Sequence, residues 1–257
     1  MLERGSVKPV PFLALAGPAV IVGLWAALAS LGLFPPSLFP HPGAVARGVL
    51  LEARSGRLLD DAIASLFRVL SGFLLAVATG VPAGLLLGHS ARARQAFLPT
   101  VNFFRSLSPL AWIPFAILWL GIGDPPAIFL IFMAAVFPMI LSTCAAVANI
   151  PSVYFRVARD LGIEGAELLR EVTLPAIAPQ VITALRVTAG LSWLVVVAAE
   201  MIAGRDGLGF AVWDARNGLR IDLLAASMVV IGLIGVALDR LLVRLSRIPS
   251  VRWGYER

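Results

Sequence analysis

The feature that most restricts this chain is a set of apolar runs, each about twenty residues long. Hydrocarbon offers backbone N–H and C=O groups no partner, so a crossing segment must satisfy them internally, as an α-helix does. A helix rises ~1.5 Å per residue and needs ~20 residues to cross the ~30 Å hydrocarbon layer. Runs of that length occupy Phe12–Phe34, Ala62–Leu87, Leu98–Leu120, Ala127–Ala148, Ile182–Ala203 and Leu223–Val243. The expected fold class is an all-α integral membrane protein with about six transmembrane helices, forming one membrane domain over residues 1–257. Composition agrees. Hydrophobic residues make up 59% and charged residues 14%, against ~45–50% and ~25% in soluble domains.

The first run also carries a processing signal. Arg4 and Lys8 precede it, and Ala27-Leu28-Ala29 is spaced like a signal-peptidase site. The apolar stretch continues to Phe34, far enough to span unaided, so an uncleaved first helix is expected.

Net charge is +6. In a soluble chain such a balance would point to nucleic acid, but here arginines flank apolar runs and hold orientation, so no nucleic-acid partner is expected. With the N-terminus in the cytoplasm, the inner segments hold Arg4, Lys8, Arg92, Arg94, Arg156, Arg159, Arg170, Arg244, Arg247, Arg252 and Arg257. The outer segments hold only Arg47, Arg54, Arg57, Arg205, Arg216 and Arg220. Basic residues concentrate on the cytoplasmic side, which places both termini inside. Arg68, Arg105, Arg186 and Arg240 fall at or within span ends. The single cysteine, Cys144, excludes an internal disulfide and a cysteine-based zinc site. His41 and His89 are far apart in sequence, and no metal constellation is visible.

Two segments between spans stand out. Residues 41–56 read as a short outer interfacial helix, opened by Pro42 and closed by Gly56. Residues 149–180 form the longest inner loop and read as two short helices. Pro151 opens the first, Gly162 interrupts, and Pro175 ends the second.

That loop reads Arg156-Val-Ala-Arg-Asp-Leu-Gly162, then nine residues, then Val172-Thr-Leu-Pro175. It resembles the cytoplasmic EAA loop of importer permeases: Glu-Ala-Ala, three residues, Gly, nine residues, Ile-x-Leu-Pro. Ala158, Gly162, Leu174 and Pro175 match in place, with Val172 for Ile. Arg156 and Val157 depart from the pattern, which removes any salt bridge made by the family's Glu. The likeness extends over nearly the whole chain. Ser108-Pro-Leu-Ala-Trp-Ile-Pro114, Leu120-Gly-Ile-Gly123, Ala184-Leu-Arg186 and Ala198-Ala-Glu-Met-Ile202 resemble the nitrate, sulfonate, taurine and bicarbonate permeases of ABC importers. Gly207-Leu-Gly-Phe-Ala-Val-Trp-Asp214 and Arg252-Trp-Gly254 look closest to the nitrate-type members.

The resemblance implies a type I ABC importer permease in the bacterial inner membrane. It implies two permease copies, two cytoplasmic ATP-binding subunits and an extracytoplasmic solute-binding protein. Its coupling loop would carry Ala158, Arg159, Gly162, Glu164, Leu174 and Pro175. The solute would be a small anion such as nitrate, bicarbonate, taurine or another sulfonate; relatives also import neutral heterocycles. No cofactor is expected in this chain, with ATP and Mg bound by the partner subunit. A P-loop needs Gly-x-x-x-x-Gly-Lys-Ser/Thr, and the only lysine, Lys8, is followed by proline.

Charged residues inside spans are expensive and default to functional candidates. Arg105, Trp112 and Trp119 are seven apart, as are Arg186, Trp193 and Glu200. Seven residues return a helix to nearly the same face, so each set makes a stripe with a cation at its inner end. Pro109 and Pro114 should bend the third span. On one reading these stripes line a passage that favours an anion. On the other, the arginines snorkel to headgroups, Trp119 joins the aromatic belt, and Glu200 pairs with an outer arginine such as Arg205. Asp239 and Arg240 read as an interfacial pair, and Asp206, Asp214 and Asp222 as solvated. A self-contained carrier or channel would need ion-coupling carboxylates at mid-membrane, and Glu200 alone lies within a span. An intramembrane enzyme would need a histidine pair, a carboxylate pair or a serine with a base, and none is present.

Overall fold

The computed structural model describes residues 11–245, and side-chain environments for residues 16–244. Arg4, Lys8, Arg247, Arg252, Arg257 and the ending Arg252-Trp-Gly254 lie outside the described residues. The described chain is helical throughout. In order it forms α1 (Pro11–Ser30), α2 (Pro42–Arg54), α3 (Arg57–His89), α4 (Ala91–Ser106), a 3₁₀ turn (Pro109–Trp112), α5 (Ile113–Leu120) and α6 (Asp124–Ala148). Then follow α7 (Ser152–Asp160), the single turn α8 (Gly165–Glu167), a π turn (Leu168–Thr173), α9 (Leu174–Ala203), α10 (Leu208–Asn217) and α11 (Ile221–Leu245).

The expected spans are resolved into three kinds of element. Four helices are long and apolar enough to cross a membrane: α3, α6, the continuous rod Gly165–Ala203, and α11. The expected third span is not one rod, because α4 and the 3₁₀–α5 segment are bent by 84°. Pro109 lacks the N–H that would continue α4 and forces Ser108 into an extended conformation (ψ 127). The break is covered by aromatic rings. Phe104 of α4 stacks on Phe137 of α6 with centroids 5.4 Å apart, and Trp112 lies 6.4 Å from Phe129. The first expected span appears as α1, which touches the remainder through Trp25, whose indole donates to the Pro40 carbonyl at 3.1 Å.

At the centre α3 lies against α6. Lipid tails are as apolar as leucine, so association of membrane helices depends on close packing rather than on escape from water. Glycines on α3 allow that approach. A Cβ at Gly72 would lie 2.7 Å from the Ile128 carbonyl, one at Gly84 2.6 Å from Thr143 Cβ, and one at Gly88 2.5 Å from Val147 Cβ. α9 flanks this pair, and α10 with α11 closes the other side, where the Trp193 indole donates to the Ile231 carbonyl at 3.2 Å.

The elements define two ends. The starts of α3, α6 and α10 and the finish of α9 gather at one end. The finish of α3, the start of α4, α7, α8 and the π turn gather at the other, here called the loop end. The short helix expected over 41–56 is α2, capped by the His41 ring, which accepts from the Gly43 N–H at 3.1 Å. In the loop, α7 forms as expected, but Pro175 does not end a helix. The chain runs through it from Gly165 to Ala203. Proline costs nothing in a helix's first turn, and the π turn delivers Pro175 to that position at the start of α9.

Candidate functional site

At mid-depth a cavity of about 460 Å³ opens between α4, the 3₁₀ turn, α6 and α9. It is lined by Arg105, Leu107, Pro109, Met133, Ala134, Pro138, Leu141, Ser142, Leu191 and Val195. The α6 contributions, Met133 to Ser142, lie in the middle of Asp124–Ala148. Pro138 cannot supply the N–H that would close the helical turn onto Ala134, and both residues line this space. Arg105 is its single cation. Among the described residues, no hydrogen bond or ion pair holds its guanidinium. Sequence placed Arg105 at the inner end of a span that began near Leu98. The helix in fact begins at Ala91, so Arg105 sits about 21 Å along it. Arg105 therefore lies near the end of α4 away from the loop end, beside the break at Pro109.

The other expected passage residues are dispersed. Trp112 is half-buried among Phe104, Phe115 and Phe129. Arg186 makes a two-pronged pair with Asp239 of α11, 2.7 Å from Nε and 3.0 Å from Nη2. Asp239 therefore does not pair with Arg240, as the sequence suggested. Trp193 is buried against Gly235 of α11, where a Cβ would lie 2.9 Å from its Nε1. Glu200 is fully enclosed. Trp193 and Glu200 thus face other helices of the same chain, Arg186 remains about half exposed beside Asp239, and Glu200 does not pair with Arg205.

Glu200 belongs to a charged network at the far end that the sequence did not disclose. Its centre is Arg68, 1% exposed. The guanidinium donates to Glu200 Oε1 at 2.8 Å, Asp124 Oδ1 at 2.6 Å, the Asp206 carbonyl at 2.9 Å, and the Asp206 carboxylate. One arginine therefore ties α3, α6, α9 and the loop before α10. Around it, the first N–H groups of α10, which have no partner within their own helix, are capped by side chains. Asp61 accepts from Gly207 at 2.8 Å, Ser65 from Leu208 at 3.0 Å and Glu200 from Gly209 at 2.9 Å. Gly207 has φ 100, and a Cβ there would lie 2.5 Å from the Glu200 carboxyl carbon. Asp206 and Asp214, expected to be solvated, are both engaged: Asp214 takes Arg57 at 2.7 Å. The available signal was Arg68 itself, inside the second apolar run and three residues after Ser65.

At the loop end, α7 closes in a Schellman arrangement. Ile163 N–H donates to the Ala158 carbonyl at 2.9 Å and Gly162 N–H to Arg159 at 3.0 Å, with Gly162 at φ 73. Ala158 is buried and Pro175 starts α9. Arg159 and Glu164 border a space of about 470 Å³ beside His89. Val153, Tyr154, Val157, Leu161 and Leu174 are exposed apolar residues around the same loop.

Comparison with known proteins decides the family. Residues 80–248 match the model of the binding-protein-dependent transport system inner membrane component. The chain belongs to that family. The permease is 37% identical over 228 residues to an ABC transporter permease protein of Methanocaldococcus jannaschii, covering 87% of this chain and 85% of that one. It is 40% identical over 178 residues to the nitrate import permease protein of Leptolyngbya laminosa, covering 69% and 64%. It is 34% identical over 226 residues to the taurine transport system permease protein of Escherichia coli, covering 86% and 82%. In fold it matches the methionine ABC transporter MetNI in an inward-facing conformation, with TM-score 0.60 and 21% identity over 74% of this chain and 96% of that one. The permease is thus a multi-pass inner-membrane component of a binding-protein-dependent ABC transport system.

Proposed function

We propose that the permease provides the translocation pathway for a small anion of the nitrate, bicarbonate or taurine kind, and that Arg105 is the group favouring negative charge. The observation carrying this is an unpaired guanidinium at mid-depth in a cavity whose other walls are mostly apolar. A charge in that position is costly unless it faces water or an anion, and an arginine fork can give two hydrogen bonds to one oxyanion. The relatives named for nitrate and taurine support the solute class. In the proposed assembly two copies of this single-domain chain meet around the passage, two ATP-binding subunits engage the loop 149–180, and a solute-binding protein meets the opposite face. Both termini are cytoplasmic. Within the loop, Ala158, Arg159, Gly162, Glu164, Leu174 and Pro175 shape the surface presented to the ATPase.

The test is uptake of labelled nitrate, bicarbonate and taurine by proteoliposomes holding the complete complex. A charged hydrogen bond contributes ~1.5–3 kcal/mol, so Arg105→Gln is expected to lower uptake of the transported anion about tenfold or more. Arg105→Lys, which keeps the charge but loses the fork, is expected to retain part of it. Wild-type uptake by assembled Arg105→Gln would remove the anion-selecting role and favour a neutral solute.

A further inference from the structure

One histidine joins the membrane body to the loop. His89 is the last residue of α3. Its Nδ1 lies 2.9 Å from the Leu85 carbonyl, which can only accept, so Nδ1 carries the proton. Nε2 lies 3.1 Å from the Thr173 hydroxyl, which can donate to it or accept from it. Thr173 is fully buried and is the last residue of the π turn. The same ring meets Phe155 of α7 edge-on, with centroids 6.2 Å apart. His89 therefore touches both halves of the loop, α7 on one side and the entry to α9 on the other. Among the described residues, this is the one side-chain hydrogen bond from α3 to the loop. A space of about 470 Å³ adjoins the ring, lined by His89, Val147 and residues of α7, and beside it Leu85 of α3 packs against the cluster of Val147 and Ile177; the hydrogen bond adds direction to that apolar contact.

We infer that His89 is a positioning residue for transport: its bond to Thr173 makes α3 follow the loop when the ATPase moves it. This rests on the reading that the loop engages the ATPase. The geometry gives the tie a direction. The rod from Gly165 to Ala203 is continuous, so a displaced loop carries α9 with it directly. α3 is a separate helix, and its far end is fixed by Arg68. At the loop end the apolar contact of Leu85 with the cluster of Val147 and Ile177 can slide, whereas the His89–Thr173 bond fixes one distance. With the link, α3 and α9 shift together, and α6, packed along the α3 glycines, shifts with them. π turns within α-helices recur at functional sites, and this one places Thr173 against the imidazole.

The test uses the complete complex in liposomes, in a Cys144→Ala background. Nitroxides are placed at Leu86→Cys on α3 and Val187→Cys on α9, both exposed positions. Their separation is measured by pulsed EPR without nucleotide and with ATP and vanadate, alongside ATP turnover. With His89 present, the separation is expected to stay constant between the two states. In His89→Ala and in the size-preserving Thr173→Val, it is expected to change by several ångströms while ATP turnover persists. His89→Gln, whose amide reaches toward the Nε2 position, is expected to restore constancy. If His89→Ala does not assemble, Thr173→Val and His89→Gln decide the question. A constant separation in assembled Thr173→Val would overturn the inference. Gly162→Val separates the two levels by a different readout, anion uptake and its coupling to ATP turnover, which distorting the loop turn should abolish. If Gly162→Val instead transports normally, the loop reading itself fails. If Gly162→Val is inert and Thr173→Val keeps its separation, only the role of His89 fails.

Discussion

The two ends of the helix bundle are held by different chemistry. At the far end Arg68 serves Glu200, Asp124 and Asp206 at once, and the N–H groups of α10 are capped by buried side chains. At the loop end α3 meets the loop through an imidazole–hydroxyl hydrogen bond, one aromatic edge and the apolar contact of Leu85. Charge-assisted hydrogen bonds are about twice as strong as neutral ones, and a buried ion loses heavily when its partner goes. The far end is therefore the more strongly bonded of the two. Between them lies the cavity of Arg105, walled partly by the broken α4–α5 segment.

Breaking the more strongly bonded end should have the largest effect. Arg68→Ala leaves Glu200 buried without its cation, a loss of ~3–5 kcal/mol for a broken buried pair. Little assembled permease is expected, read as detergent-stable yield and melting temperature. Arg68→Met with Glu200→Leu removes both charges, and the pair should melt above the Arg68→Ala single variant. If the double variant melts no higher, an uncompensated Glu200 is not the cause.

Next in size is the packing between the two ends. Gly84→Leu would drive a side chain into Thr143 and the Ile140 carbonyl, at 2.6 and 2.7 Å from the first added carbon. Overpacking costs ~1–3 kcal/mol or more. Lower melting is expected with the far-end network intact, and unchanged melting would mean that α3 and α6 do not pack as described. The smallest effect is expected at Arg186. Its pair with Asp239 is about half exposed on both sides, and exposed pairs contribute ~0–1 kcal/mol. Arg186→Gln should change stability little and leave uptake within about twofold. A tenfold loss of uptake with normal assembly would return Arg186 to the pathway.

The comparison also shows what the sequence could and could not disclose. Span positions were legible, because hydrocarbon imposes length and apolarity on each helix separately. The loop was legible, because Gly162 and Pro175 act on the backbone locally, though the π turn that admits Pro175 into a helix was not. Pro109 announced a bend but not its 84° size. The seven-residue stripe through Trp193 and Glu200 was real as periodicity, yet periodicity does not say which neighbour a face meets. That depended on α3 and α11, more than 35 residues away in sequence. Arg68 was missed for the same reason: its partners Asp124, Glu200 and Asp206 lie 56, 132 and 138 residues away.

The central claim is that the space beside Arg105 is a water-accessible passage whose exposure is driven from the loop end. Ser142 lines that space, so the direct measurement is reaction of Ser142→Cys, in a Cys144→Ala background, with a charged membrane-impermeant thiol reagent. The complex is reconstituted in liposomes and probed from the loop side, with and without ATP and vanadate. The predicted result is labelling in the nucleotide-free state, strong protection with ATP and vanadate, and partial protection by the transported anion that Arg105→Gln abolishes. Failure of Ser142→Cys to react in either state, in an assembled complex that still hydrolyses ATP, would place this surface against lipid or packed protein and contradict the claim.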